Sequence, residues 1–140
     1  MDKERFPNKK AVEGQKADLT DANLSSANLT SSILTDANLS GANLTGADLI
    51  DANLTGADLR YANLTNANLT SANWTSANLT GADLTGADLR DADLTTAYLT
   101  DANVTRANLT DATVTRANLT CASWTRSDSE YAIGAAAHFT

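Results

Sequence analysis

From Ala17 to Thr125 the chain repeats one five-residue unit twenty-two times, and that period limits what the chain can fold into. The unit reads Ala, then Asp or Asn, then Leu, then Thr, then a variable residue; Ala42-Asn43-Leu44-Thr45-Gly46 is typical. The first slot is Ala in 21 of 22 copies, the exception being Ser32. The third slot is Leu in 18 copies and Trp74, Val104, Val114 or Trp124 in the others. The fourth slot is Thr or Ser except at Ile50, Arg60 and Arg90, and the fifth is loose.

A period of five fits neither a helix nor a strand. Five residues advance an α-helix by about 500°, so the Leu positions would scatter around its surface. A flat strand would put successive Leu on opposite faces, because five is odd. A coil that bends at every unit does bury both apolar slots. Ala and Leu, two apart, then share the inward face, and the Asp or Asn between them points out. The backbone groups then pair with the coils above and below at ~4.8 Å. Low aromatic content (5%) would otherwise read as disorder, but a regular apolar ladder is available for burial. Leu19, Leu24, Leu44, Leu64, Trp74, Leu84 and Trp124 are rungs of that ladder.

The tandem Ala-(Asp/Asn)-Leu-X-X units resemble the pentapeptide-repeat family over residues 17–126. The resemblance implies an all-β fold, a right-handed quadrilateral parallel β-helix (solenoid) of about five and a half coils with short terminal caps. It also implies a non-catalytic interaction or scaffold role with an unknown protein partner, in a family especially rich in cyanobacteria. An alternative carried by the resemblance is a DNA mimic that binds DNA gyrase, as in fluoroquinolone resistance. The net charge of −7 fits that alternative. A short rod, a locally basic C-terminal third and uninterrupted repeats argue against it. Direct nucleic-acid binding is not expected of an acidic rod. A self-assembling structural rod, stacked end to end, is the third reading.

Three segments follow. Residues 1–16 form an N-terminal cap or tail, with Asn8 available to start a short helix that lays Phe6, Ala11 and Val12 over the first coil, or else a disordered basic tail. Residues 17–126 form the β-helix. Residues 127–140 form a C-terminal cap, where Ser127 and Glu130 have capping-box spacing ahead of a short apolar helix. That tail could cap the rod or dimerise it weakly, so a monomer or weak dimer is expected.

Charge varies along the repeat. Residues 17–59 carry six Asp and no basic residue, whereas residues 101–126 carry Arg106, Arg116 and Arg126 against Asp101 and Asp111. With the outward Tyr61 and Tyr98, these arginines form the candidate partner surface. Trp74 lies in the Leu slot with Leu54 and Leu94 twenty residues away on either side. Overpacking predicts a distorted coil there, or an indole leaning out of the core. Trp124, next to Val104 and Val114, has room and can cover the open end.

Chemistry is sparse. One His (His138) and one Cys (Cys121) do not make a catalytic constellation, so no enzyme activity, cofactor or metal is expected. Asp51, Asp91 and Asp111 recur on one corner without forming a calcium cage. Glycines 41, 46, 56, 81 and 86 occupy the fifth slot, where a missing side chain eases the bend. The Asn-Leu-Thr strings at Asn28, Asn53 and Asn118 follow from the repeat and are not read as glycosylation sites. Cys121 sits in an outward slot as a single thiol, so it forms no internal disulfide. No run approaches transmembrane length and no secretory signal follows Met1, which points to the cytoplasm and away from a membrane.

Overall fold

The computed structural model describes residues 17–125 and Ser127. Eighteen parallel bridges run in unbroken series from Asp18–Asn38 to Asn103–Ser123, each joining a second-slot residue to the one twenty further on. Twenty residues are four units, so each coil has four bends and four faces. The first face holds residues 17–21 and their equivalents every twenty residues, the second 22–26, the third 27–31 and the fourth 32–36. Each face contributes one isolated bridge flanked by turns, so the sides are too short to be strands.

The period follows from where the backbone N–H groups go. The second-slot N–H donates to the coil before it, as Asn63 N does to Ala42 O (2.9 Å). The third-slot and fifth-slot N–H groups donate to the coil after it, as in Leu64 N to Asp83 O (2.7 Å) and Asn66 N to Thr85 O (2.9 Å). The first-slot N–H closes the bend, as Ala67 N does on Leu64 O (3.0 Å). That leaves the fourth slot, and the Asp or Asn before it supplies the acceptor. All eighteen second-slot Asp and Asn side chains accept from the backbone N–H two residues on, at 2.9–3.3 Å. A Thr or Ser hydroxyl often adds a second bond to the same oxygen, as Thr45 Oγ1 does to Asn43 Oδ1 (2.7 Å). The two polar slots thus complete the hydrogen bonding that the coil leaves open.

Every bend places its fifth residue at positive φ, from Asp21 (52°) to Cys121 (57°), the signature of the third residue of a type II turn. Sixteen of these corner residues are not glycine. Thr96, β-branched at φ 58°, is the most strained by type, and its hydroxyl donates to its neighbour's carbonyl, Thr95 O (2.6 Å). Corner side chains lean towards the next coil. The Tyr61 ring lies over Gly81, where an added Cβ would stand 2.7 Å from Tyr61 Cδ1. Asp36 and Asn66 lie over Gly56 and Gly86 in the same way.

Inside, the Ala and Leu ladders close into one core. Leu19, Leu24, Leu44, Leu64, Trp74 and Leu84 are buried, and Trp124 packs against the core half-buried. The expectation for Trp74 is overturned. The indole is fully inside (0% exposed), and its coil is undisturbed: Leu54 N to Asn73 O is 2.8 Å and Trp74 N to Asp93 O is 2.7 Å. The neighbouring inward slots, Ala72 and Ala77, are small. The penalty falls on hydrogen bonding instead, because Trp74 Nε1 is buried without a partner. Ser32, the one polar residue in the Ala ladder, likewise buries a partnerless Oγ. The proposed cap helices at 1–16 and after Ser127 lie outside the described residues.

Candidate interaction face

A regular solenoid makes departures from its rules visible. Tyr98 stands in the second slot, bridging to Asn78 and Asn118, where it offers no carboxamide to the Thr100 N–H. Tyr61 stands in the fifth slot at φ 60°, a conformation that bulky side chains avoid. Both side chains remain outside, Tyr61 71% and Tyr98 52% exposed. They share the first face, two coils apart, with Thr80 and Gly81 between them. The Tyr61 ring leans over Gly81 and so towards Tyr98. Ile33, 56% exposed, is the other large exposed apolar residue among the described residues, and it sits on the fourth face in the first coil.

Arg60 stands beside Tyr61 in the slot usually given to Thr. Its guanidinium grips Asp58 with Nη2 to Oδ2 at 2.6 Å and Nε to Oδ1 at 2.8 Å. Asp58 also accepts from Arg60 N (3.1 Å). The fork holds the Asp58 carboxyl below its ordinary value, and burial opposes part of that shift. Arg90 repeats the arrangement on Asp88 of the third face, Nη2 to Oδ2 being 2.6 Å. The bidentate pair fixes a planar cation next to Tyr61 and on the same face as Tyr98, a composition enriched where proteins bind proteins.

The arginines singled out by sequence do not gather. Arg106 ends a unit of the second face and Arg116 a unit of the fourth, so they occupy diagonally opposite corners, both exposed. Arg116 borders the tyrosine face; Arg106 does not. Arg126 lies outside the described residues. The coil 97–116 carries Asp101, Arg106, Asp111 and Arg116 at its four corners, so sign alternates around the rod. The basic pole expected from the linear charge count is therefore a ring of alternating charge, because a five-residue step moves each charge to the next corner. The third face carries Asp48, Asp51, Asp88, Asp91 and Asp111 against Arg90 and is the most acidic. Asp51, Asp91 and Asp111 share its corner with Ser71. Cys121 is an exposed free thiol on the first-face corner.

Two residues that matter to this face escaped the linear reading. Arg60 broke the fourth-slot rule in plain sight, and only its grip on Asp58 shows why. Gly81 read as a bend residue, but it also seats the Tyr61 ring.

The family model for pentapeptide repeats matches this chain as eight copies over residues 15–36, 22–60, 62–101 and 97–128. No curated protein matches it. Among solved structures, a pentapeptide repeat protein from the cyanobacterium Cyanothece 51142 is 37% identical with a TM-score of 0.63, covering 64% of this chain and 60% of its own. The pentapeptide repeat protein alr5209 from Nostoc PCC 7120 is 33% identical with a TM-score of 0.53, covering 54% of this chain and 62% of its own. The match thus spans about three fifths of each relative's length. HetL of Nostoc PCC 7120, a pentapeptide repeat protein involved in heterocyst differentiation regulation, is 30% identical with a TM-score of 0.48, covering 86% of this chain and 75% of its own. With the twenty-residue coil and the matched repeats together, the chain belongs to the pentapeptide-repeat family.

Proposed function

We propose that this chain is a non-catalytic interaction module that docks a protein partner on its first face, around Tyr61, Tyr98 and the Arg60–Asp58 pair. The observation that carries the reading is that two exposed tyrosines share one face with the Arg60–Asp58 pair, and one of them, Tyr98, stands in a slot that otherwise supplies an Asp or Asn acceptor. A position that breaks a local rule without a structural gain points to function. The rod behind the face is read as right-handed, with about five and a half coils, and serves as a rigid mount. The DNA-mimic reading, with gyrase as partner, gains nothing from the alternating charges of coil 97–116.

The test is affinity capture from source-cell lysate with the wild-type rod and with Tyr61→Ser/Tyr98→Asn, read by mass spectrometry. A saturable partner held by the wild type and lost by the variant supports docking on this face. A partner held equally by both refutes it, and gyrase subunits held equally by both would select the mimic.

A further inference from the structure

We infer that the first face is self-complementary and binds a second copy of this chain, laid antiparallel and face to face. The inference rests on the docking reading above and gives its partner an identity. Its basis is register. The bridges stack equivalent residues in columns, one residue per coil. The corner column bordering the fourth face reads Asp36, Gly56, Ser76, Thr96, Arg116. Turn a second rod end for end about an axis crossing the face at Ser76 and the column meets itself reversed. Asp36 then faces Arg116 of the second copy, Arg116 faces Asp36 of the second copy, and only small residues lie between. Asp36 and Arg116 are both exposed, so neither must leave a partner within the core.

The other columns of the face accept the same register. Asp58 faces Tyr98 of the second copy. Arg60, whose Nε and Nη2 are held by Asp58, faces Thr100 and Asp101 of the second copy and keeps Nη1 for them. Asn78, Thr80 and Gly81 face themselves, and the two Tyr61 rings, each leaning over its own Gly81, converge at the centre. No described carboxylate faces another carboxylate. A shift by one coil in either direction sets Asp36 against Thr96 or removes it from the contact, and it separates Arg116 from Asp36. The charges therefore specify one register as well as one orientation. Five coils at ~4.8 Å give a face of about 24 Å in length. A five-residue side is at most about 17 Å wide, so the face covers at most about 400 Å², below the roughly 800 Å² per partner of a stable complex, and the dimer is weak and salt-sensitive.

The experiment is sedimentation equilibrium of the full chain over a concentration series, at low and high salt. The variants are Asp36→Arg, Arg116→Asp and the two combined. The corner tolerates both residue types, since Asp36 (φ 54°) and Arg116 (φ 56°) occupy the same column natively, and circular dichroism checks that each variant is folded. The wild type is expected to dimerise at low salt and dissociate at high salt. Each single variant alone is expected to lose at least tenfold in association. An equimolar mixture of the two single variants restores it, because each supplies the charge the other lacks, and so does the combined variant. A wild type that is monomeric throughout overturns the inference, as does a dimer indifferent to Asp36 and Arg116, or a mixture that fails to recover. If the rod is monomeric but still captures another protein through its tyrosines, the inference falls and the docking reading stands.

Discussion

Adding one methyl group at Gly81 tests the corner geometry that positions the tyrosine face. Two costs are expected for Gly81→Ala. The backbone sits at φ +66°, where an L side chain loses about 1–2 kcal/mol. Sixteen corners carry such side chains natively, which puts the cost near the lower end. The new Cβ would also stand 2.7 and 2.8 Å from Tyr61 Cδ1 and Cε1, so the ring must move off its seat. A ring that loses several carbon contacts, at about 0.1–0.2 kcal/mol each, gives up a further ~0.5–1 kcal/mol. Gly46→Ala is the control: its φ is +62°, and the nearest atom to an added Cβ is Ser26 Oγ at 3.8 Å. The expected losses are about 1.5–2 kcal/mol for Gly81→Ala and about 1 kcal/mol for Gly46→Ala. Urea unfolding of both variants, alone and in a Tyr61→Ser background, closes a double-mutant cycle. The two glycine variants should become equal once Tyr61 is gone. Equal losses in the presence of Tyr61 would refute the seating of the ring, and a gain from Gly46→Ala would refute the left-handed corner itself.

Other perturbations follow from the hydrogen bonds. Asn68→Ala removes the Oδ1 that accepts from Thr70 N (3.3 Å) and Thr70 Oγ1 (2.8 Å), and should cost about 1 kcal/mol by urea unfolding. Tyr98→Asn restores the missing acceptor for Thr100 and should raise stability by about 0.5–1 kcal/mol while weakening partner capture, a trade of stability for function. Trp74→Phe deletes the buried partnerless N–H but leaves a small cavity in the core, two opposing effects, so its melting temperature should stay closer to wild type than that of Trp74→Leu, which opens a differently shaped void; equal falls for the two would show that relief of the N–H contributes nothing. Asp58 and Asp88 have lowered carboxyl values in the fold, so their pairs stabilise it above about pH 4 and lose that contribution as pH falls further. Arg60→Gln/Arg90→Gln should therefore lower the melting temperature at neutral pH and converge with the wild type as pH falls, which flattens the acid limb of the profile.

The period of five was enough to place Ala and Leu inside, because no other backbone arrangement puts residues two apart on one face at every repeat. The bridges at a spacing of twenty agree with that reading. The second slot was read only as outward and polar, yet its oxygen completes the N–H accounting of every unit that carries Asp or Asn. That role depends on a bend conformation that a periodicity count does not contain. At Trp74 the expected distortion is absent although Leu54 and Leu94 flank it, and the slot pattern does not explain the fit, because the Ala slots beside it are those of the other coils too. The charge gradient along the axis stands as counted, but a running sum along the chain does not show that successive corner residues face different directions. Tyr61 and Tyr98 were legible as outward, and their shared face follows from the coil. The grip of Arg60 on Asp58 and the Gly81 seat depend on side-chain directions that the repeat pattern does not specify.

The most direct test of the claim that the tyrosine face is the contact surface is an amide chemical-shift series. The isotope-labelled rod would be followed by two-dimensional NMR from dilute to concentrated solution at low salt. The account predicts concentration-dependent shifts at residues 58–61, 78–81 and 98–101, together with Asp36 and Arg116, and quiet amides on the second and third faces. Shifts centred on the acidic third face or confined to the end coils, or a spectrum that does not change with concentration, would contradict self-pairing through that face.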